Sequence, residues 1–269
     1  MKLTRRSLLA GIGGGTLVIG GLRFQQTSPA FTQYTYAAFT EDTDDAILRV
    51  AWYESRNGTF RENQAGSTDS YDATMDPETE PLYLEEATYR TDVAGPVLRL
   101  GNILPGDSGT LVVGLEAVSE ETPSPVSIWL SGVVTAEAEN GRNEPERKAG
   151  DTTDAVGELA TEATVEVWTD TSPLGSCDGL RTLDETLRAP VVPRAPFGDA
   201  FAEDSIVANE GVPVFDDCLD PGTLRCVALA WELPKTASDR IQGDSFTFDF
   251  AFAAGPCEGD SPFLDGGSA

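Results

Sequence analysis

Apolar and polar positions alternate along most of this chain. Ser245–Ala254, SFTFDFAFAA, sets Phe246, Phe248, Phe250 and Phe252 on one side and Thr247, Asp249 and Ala251 on the other. Cys226–Pro234 repeats the pattern with Val227, Leu229, Trp231 and Leu233. A period of two belongs to a strand with one buried face, so both stretches predict strands. The same reading predicts strands at Ala46–Tyr53, Pro81–Tyr89, Val97–Leu100, Thr110–Glu116, Val126–Val134 and Ala163–Thr169, with turn clusters of Gly, Pro, Asp and Asn between them. One short helix is expected around Asp154–Ala160, with Asp154 as its N-cap. Many strands without a strand–helix rhythm predict an all-β fold, an antiparallel sandwich or jelly roll, built as one domain over residues 31–264. Trp129, Trp168 and Trp231 fall in strand patterns and are expected in the core, leaving Trp52 as the one candidate for an exposed aromatic. Asn140–Thr153 reads as a polar loop, Pro190–Phe201 (PVVPRAPFGDAF) as an irregular insertion, and 265–269 as a disordered tail.

Within the turn before Thr110 lies Gly106-Asp107-Ser108-Gly109, the tetrapeptide that surrounds the nucleophile of trypsin-like proteases. A serine hydroxyl needs a base, and the chain has no histidine. Outside the first thirty residues the lysines are Lys148 and Lys235, both in loop-like polar stretches. Pro105 and Gly106 supply the fixed and the permissive φ of a β-turn, and an alternating strand follows. Ser108 therefore reads as a turn residue, and no catalytic residue is assigned. The lack of histidine also excludes an HExxH metalloprotease helix. A glycosidase needs only two carboxylates, but no pair stands out, and most acidic residues read as solvated surface.

There are 45 Asp plus Glu against 18 Lys plus Arg, a net charge of −27. Such a surface repels nucleic acid and anionic membranes. The carboxylates are spread among apolar runs rather than gathered in a tail, which points to a surface adapted to molar salt, where the Debye length falls to about 3 Å. The first thirty residues, in contrast, carry no acidic residue. Arg5 and Arg6 precede sixteen uncharged residues, Ser7 to Leu22, six of them glycine. This run is too short and too glycine-rich for a stable span, which needs about 20 apolar residues. It reads as a signal peptide over residues 1–30 with a twin-arginine export signal, cleaved between about 30 and 38. An exported protein of the cell surface, with no membrane span after cleavage, is expected.

Cys177, Cys218, Cys226 and Cys257 are an even set in an exported chain, so two disulfides are expected. If the strands Cys226–Pro234 and Ser245–Ala254 pair around the loop between them, Cys226 and Cys257 lie almost symmetrically about it, which predicts Cys226–Cys257 and, by elimination, Cys177–Cys218. Four irregularly spaced thiolates without histidine make a poor zinc site, so no metal and no cofactor is assigned. Asn57-Gly58-Thr59 is both an N-glycosylation pattern and a hairpin-turn signal.

In order along Leu98 to Cys257, LGNILPGDSGTLVVGL, VGELATEATVEVWTD, CDGL and WELPKTASDRIQGDSFTFDFAFAAGPC resemble the TasA/camelysin family of secreted fibre-forming proteins. Asp239 stands near where the family pattern has asparagine, and AAFTEDTDD stands where family members commonly begin the mature chain with a short FSD stretch. The resemblance implies a jelly-roll subunit that polymerises outside the cell by donating its N-terminal strand to the next copy. Camelysin is described as a metalloprotease, and no catalytic residue of the family maps onto this chain. The charge-free segment Phe31–Phe39, with Phe31, Tyr34, Tyr36 and Phe39, is the expected donor strand. Its partners are then further copies of itself or other cell-surface proteins. Two other readings compete: a monomeric cell-surface module that binds carbohydrate or protein, and a secreted carboxylate hydrolase.

Overall fold

The computed structural model describes residues 34–36, 46–61, 89–90, 97–101, 103–119, 124–172 and 175–264. The expectations for residues 1–30 with Arg5 and Arg6, for Phe31 and Phe39, for 81–88 and for 265–269 lie outside the described residues, as do the side chains of Tyr34, Tyr36 and Trp52.

Two sheets face each other, as the alternation predicts. The larger contains β1 (Tyr34–Tyr36), β2 (Ala46–Arg56), β3 (Thr59–Arg61), β4 (Tyr89–Arg90), β6 (Ser108–Ser119), β8 (Thr164–Thr169), β11 (Val192–Pro196) and β13 (Leu224–Glu232), in the order β11-β8-β13-β6-β2-β1-β4, with β3 beside β2. The smaller contains β5 (Val97–Gly101), β7 (Val126–Ala138), β12 (Val212–Pro213) and β14 (Ser245–Pro256), in the order β12-β7-β14-β5. Pairing is antiparallel throughout both, apart from the parallel contact of β1 with β4. A two-stranded ribbon, β9 (Thr171–Ser172) and β10 (Gly175–Ser176), stands apart. The helices are short: α1 (Glu144–Lys148), α2 (Leu159–Glu162), α3 (Leu183–Thr186), α4 (Phe197–Ala200) and α5 (Ile206–Asn209). This is an all-β sandwich.

One hydrophobic core fills the space between the sheets. Leu111, Val113 and Leu115 of β6 and Val227, Leu229 and Trp231 of β13 meet Ile128 and Leu130 of β7 and the phenylalanine row of β14. Phe248 is fully buried, its ring centroid 4.4 Å from that of Phe201 and 5.4 Å from those of Phe197 and Phe250. Phe197 and Phe201 correct the reading of 190–201 as an irregular insertion: the segment forms β11 and α4 and drives two aromatic rings into the core. Its prolines and Gly198 hid that role, because only the tertiary fold shows which way the rings point.

Other boundaries also shift. The expected helix at Asp154–Ala160 forms later, as α2, without Asp154 as cap; Asp154 instead pairs with Arg142 at 2.5 Å. Asn140–Thr153 is not wholly loop, because Asn143 caps α1 through a capping box with Glu146. Trp231 and Trp168 are buried, but Trp129 is only half-buried, and its indole N–H donates to Ser127 Oγ at 3.2 Å. Trp129 alternates with the core residues Ile128 and Leu130 and so lies on the outer face of the smaller sheet.

The disulfide connectivity is a correction. Both bridges form, but as Cys177–Cys226 and Cys218–Cys257, with Cα separations of 5.3 and 5.7 Å. The expected Cys226–Cys257 bridge required β13 and β14 to pair, and they belong to opposite sheets. Cys226 lies on the outer face of β13, where the segment after β8 crosses it and brings Cys177 alongside: the Asp170 N–H donates to the Cys226 carbonyl and the Cys177 N–H to the Asp170 carbonyl.

Candidate functional site

Three places on this frame carry polar chemistry. The first is the turn holding Ser108. Asp107 anchors it: the Leu104 N–H and the Asn57 side-chain amide donate to its two carboxylate oxygens at 2.9 Å each, and Arg56 ion-pairs with it at 3.3 Å. Burial pushes the Asp107 carboxyl up, but the Leu104, Asn57 and Arg56 contacts outweigh it and hold it below its ordinary value. Gly106 takes φ +95°, a conformation that favours glycine, and donates its N–H to the Leu233 carbonyl. Asn57 and Gly58, with φ 50° and 73°, form the primed turn between β2 and β3. The Asn57 side chain ties that turn to the first one, donating from Nδ2 to Asp107 and accepting the Ser108 N–H at 3.0 Å. Ser108 is thus held by its main chain at the start of β6. Asn57 is exposed, and Nδ2, the atom a glycan would occupy, is the one engaged with Asp107.

Beside this turn, on the outer face of the larger sheet, runs a groove of about 390 Å³. Thr110, Glu166, Leu180, Arg194 and Glu232 line it together with Ser108. Glu166 is ion-paired with Arg181, and Glu232 with Arg194 at 2.6 Å, so these two carboxylates are already engaged by guanidiniums, while Asp178, also in the lining, accepts the Leu180 N–H at 2.8 Å.

The third place is a carboxylate centre that the sequence reading passed over as solvated surface. Glu139 follows β7, Glu146 lies in α1, Asp151 follows α1, Glu158 precedes α2, and Asp244 immediately precedes β14. Glu139, Glu146, Asp151 and Asp244 are buried and Glu158 is half-buried. Local structure fixes one oxygen of each of four groups. Glu146 Oε2 accepts the Asn143 N–H of the capping box. Asp151 Oδ1 accepts from the Thr153 N–H at 2.8 Å, and Glu158 Oε1 lies 2.8 Å from the Thr153 hydroxyl. Asp244 Oδ2 accepts the Glu158 N–H at 2.7 Å. The second oxygen of each, and both oxygens of Glu139, are buried without a hydrogen-bond partner. Among the described residues no Arg or Lys ion-pairs with any of the five. Arg142 and Arg240 instead bind the main-chain carbonyls of Asp151, Ala149 and Gly150. Burial, then the charges of Asp244, Asp151, Glu146 and Glu158, push Glu139 up to about 7. Burial and the charges of Glu158 and Glu146 likewise raise Asp244 to about 6, against the pull of the Glu158 N–H and of a side-chain hydrogen bond that Glu139 makes when it carries a proton. Hard oxygen donors held in this way suit a divalent cation. Glu158 and Asp244 fall inside two of the segments quoted for the family resemblance, the one sequence signal that set them apart from the other carboxylates.

The predicted donor strand appears as β1, within the larger sheet of its own chain. Tyr34, Thr35 and Tyr36 pair with Ala51, Val50 and Arg49 of β2. On its other side β2 pairs with β6 over its whole length, from Ala46↔Ser119 to Arg56↔Gly109. Among the described residues no helix is long and apolar enough to cross a membrane. No protein-family model and no curated protein sequence matches the chain.

Proposed function

We propose that this chain is an exported structural subunit of the cell surface or extracellular matrix, non-catalytic and adapted to high salt, that assembles by adding its N-terminal strand to the sheet of a neighbouring copy. The observation that carries the reading is the edge of β2. It is eleven residues long, β1 covers three of them and β3 three more, and among the described residues Ala46–Leu48 and Trp52–Tyr53 have no strand partner on that side. A strand held by so short a ladder exchanges readily for the same strand of another copy, because donated main-chain hydrogen bonds replace its own. The resemblance to TasA/camelysin fibre subunits, two disulfides suited to an oxidising compartment and the paired Arg5 and Arg6 support the same reading.

Electron microscopy and sedimentation of the exported protein in molar salt test it. Fibres are expected from the intact chain, whereas a chain lacking residues 31–39 should stay a folded monomer that caps wild-type fibres. An intact protein that remains monomeric at high salt and high concentration, with a deletion that unfolds, would make β1 an ordinary edge strand and end the fibre reading. The groove beside Ser108 favours the second reading, a monomeric module that takes a polar ligand such as a carbohydrate. Glycan binding by a strictly monomeric protein, weakened by Arg194→Ala, would favour it.

A further inference from the structure

We propose that Glu139, Glu146, Asp151, Glu158 and Asp244 form a calcium centre for two ions, with Glu139 as the ligand they share. The inference is independent of the fibre reading. It stands on six buried oxygens, Glu139 Oε1 and Oε2, Glu146 Oε1, Asp151 Oδ2, Glu158 Oε2 and Asp244 Oδ1, none of which has a hydrogen-bond partner. Glu139 decides the matter most directly: it is 2 % exposed and neither of its oxygens is satisfied. Buried polar groups are almost always hydrogen-bonded, and buried charges are paired or coordinate metals. The remaining oxygens of the other four groups are held by main-chain N–H groups and by Thr153, which turns the free ones inward. Protonation relieves only part of this: a proton on Glu139 lets it donate to Asp151 or Asp244, while the charges of the remaining carboxylates stay buried around it.

The number of ions follows from distance. The ligand atoms do not fall into one group of five but into two groups of three, Glu139–Asp151–Glu158 and Glu139–Glu146–Asp244, each with its atoms within 4.8 Å of one another. Two oxygens on one calcium lie at most about 5 Å apart, twice a bond of roughly 2.3–2.6 Å. Each group therefore spans one ion, and Glu139, with both oxygens free, serves both. The donor set selects the metal. There is no histidine in the chain, and all four cysteines are in disulfides, so the nitrogen and sulfur ligands preferred by zinc and copper are missing from the centre. Magnesium holds a tight octahedral shell at about 2.0–2.1 Å and keeps several waters, which suits a buried, carboxylate-rich site poorly. Bound calcium would tie the excursion between β7 and α2 to the start of β14, closing one end of the smaller sheet where Ala138 pairs with Ser245.

The test uses the full chain in molar potassium chloride, stripped with a chelator and dialysed. Calorimetric titration with calcium and metal analysis should give two ions per chain, and thermal unfolding should move upward with calcium but far less with equal magnesium. Glu139→Gln should lose both ions, and Asp151→Asn and Asp244→Asn one each. Because a variant can lose metal simply by misfolding, the unfolding midpoint of Glu139→Gln is read with and without calcium. Without calcium it should lie above wild type, since one repelling buried charge is gone; with calcium it should lie below. Absence of saturable calcium binding by wild type, or a Glu139→Gln shift that is the same with and without calcium, would overturn the centre. A single ion per chain, weakened equally by Asp151→Asn and Asp244→Asn, would overturn the shared-ligand arrangement.

Discussion

Replacing Gly109 by alanine adds one methyl group to β6, at the last residue of the Gly-Asp-Ser-Gly turn. Gly109 is opposite Trp231 of β13 and Arg56 of β2. A Cβ there would stand 2.5 Å from Trp231 Nε1 and 2.6 Å from the Ser55 carbonyl oxygen, where ordinary contact is 3.4–4 Å. Neither neighbour yields easily. Trp231 is 2 % exposed and belongs to the core, and the Ser55 carbonyl is main chain within the β2–β6 ladder. Overpacking costs typically about 1–3 kcal/mol, and collision with main chain places this case near the upper end. The entropy that alanine removes from the unfolded chain returns only about 0.4–1 kcal/mol. A net loss of about 2 kcal/mol is expected, a fall in Tm of roughly 4–8 °C for a domain of this size. Urea unfolding in molar potassium chloride, followed by tryptophan fluorescence, measures it; guanidinium, itself a salt, would confound a salt-dependent protein. Ser108→Ala should stay within about 0.5 kcal/mol of wild type, as an exposed position does. Trp231→Phe in the Gly109→Ala background should recover part of the added loss, because the indole N–H edge is one of the two obstacles. Should Gly109→Ala unfold at the wild-type urea midpoint, the close approach of β2, β6 and β13 is wrong. Labelling of Ser108 by a fluorophosphonate probe would independently overturn its reading as a turn residue.

Three further outcomes are expected. Non-reducing peptide mapping should recover Cys177–Cys226 and Cys218–Cys257, and replacing Cys177 and Cys226 together by alanine should cost about 2–4 kcal/mol; a recovered Cys226–Cys257 peptide would contradict the separation of β13 and β14. Asp107, whose folded value lies below its ordinary 3.8, contributes stability that is complete above that value and is lost as pH falls through the folded one. Urea midpoints measured from about pH 5 down to about pH 3 should therefore fall less steeply in Asp107→Asn than in wild type, and parallel profiles would show that the turn contacts are not formed. Phe248→Ala empties the centre of the aromatic cluster with Phe197, Phe201 and Phe250 and should cost about 3–5 kcal/mol, so a loss under about 1 kcal/mol would mean that the sheets do not meet there.

What the sequence determined alone is what depends on near neighbours. The Phe246–Phe252 row locates β14 and its buried face, because a strand's two faces alternate residue by residue. Pro105-Gly106 and Asn57-Gly58 announce their turns because the required φ angles belong to those residue types. Histidine content and charge balance likewise need no fold. Pairing between distant strands was not legible. Nothing local tells β13 to lie between β6 and β8 rather than against β14, so the disulfides could be counted but not connected. Burial across segments was equally hidden. Trp168 and Trp129 sit in similar alternating runs, yet one is covered and the other half-open. Among 45 acidic residues, Glu139, Glu146, Asp151, Glu158 and Asp244 look like the rest. Only the fold removes water from them, by bringing the end of β7, the α1 excursion and the start of β14 to one place, and a carboxylate's chemistry is set by the water and charge around it, not by its neighbours in the chain.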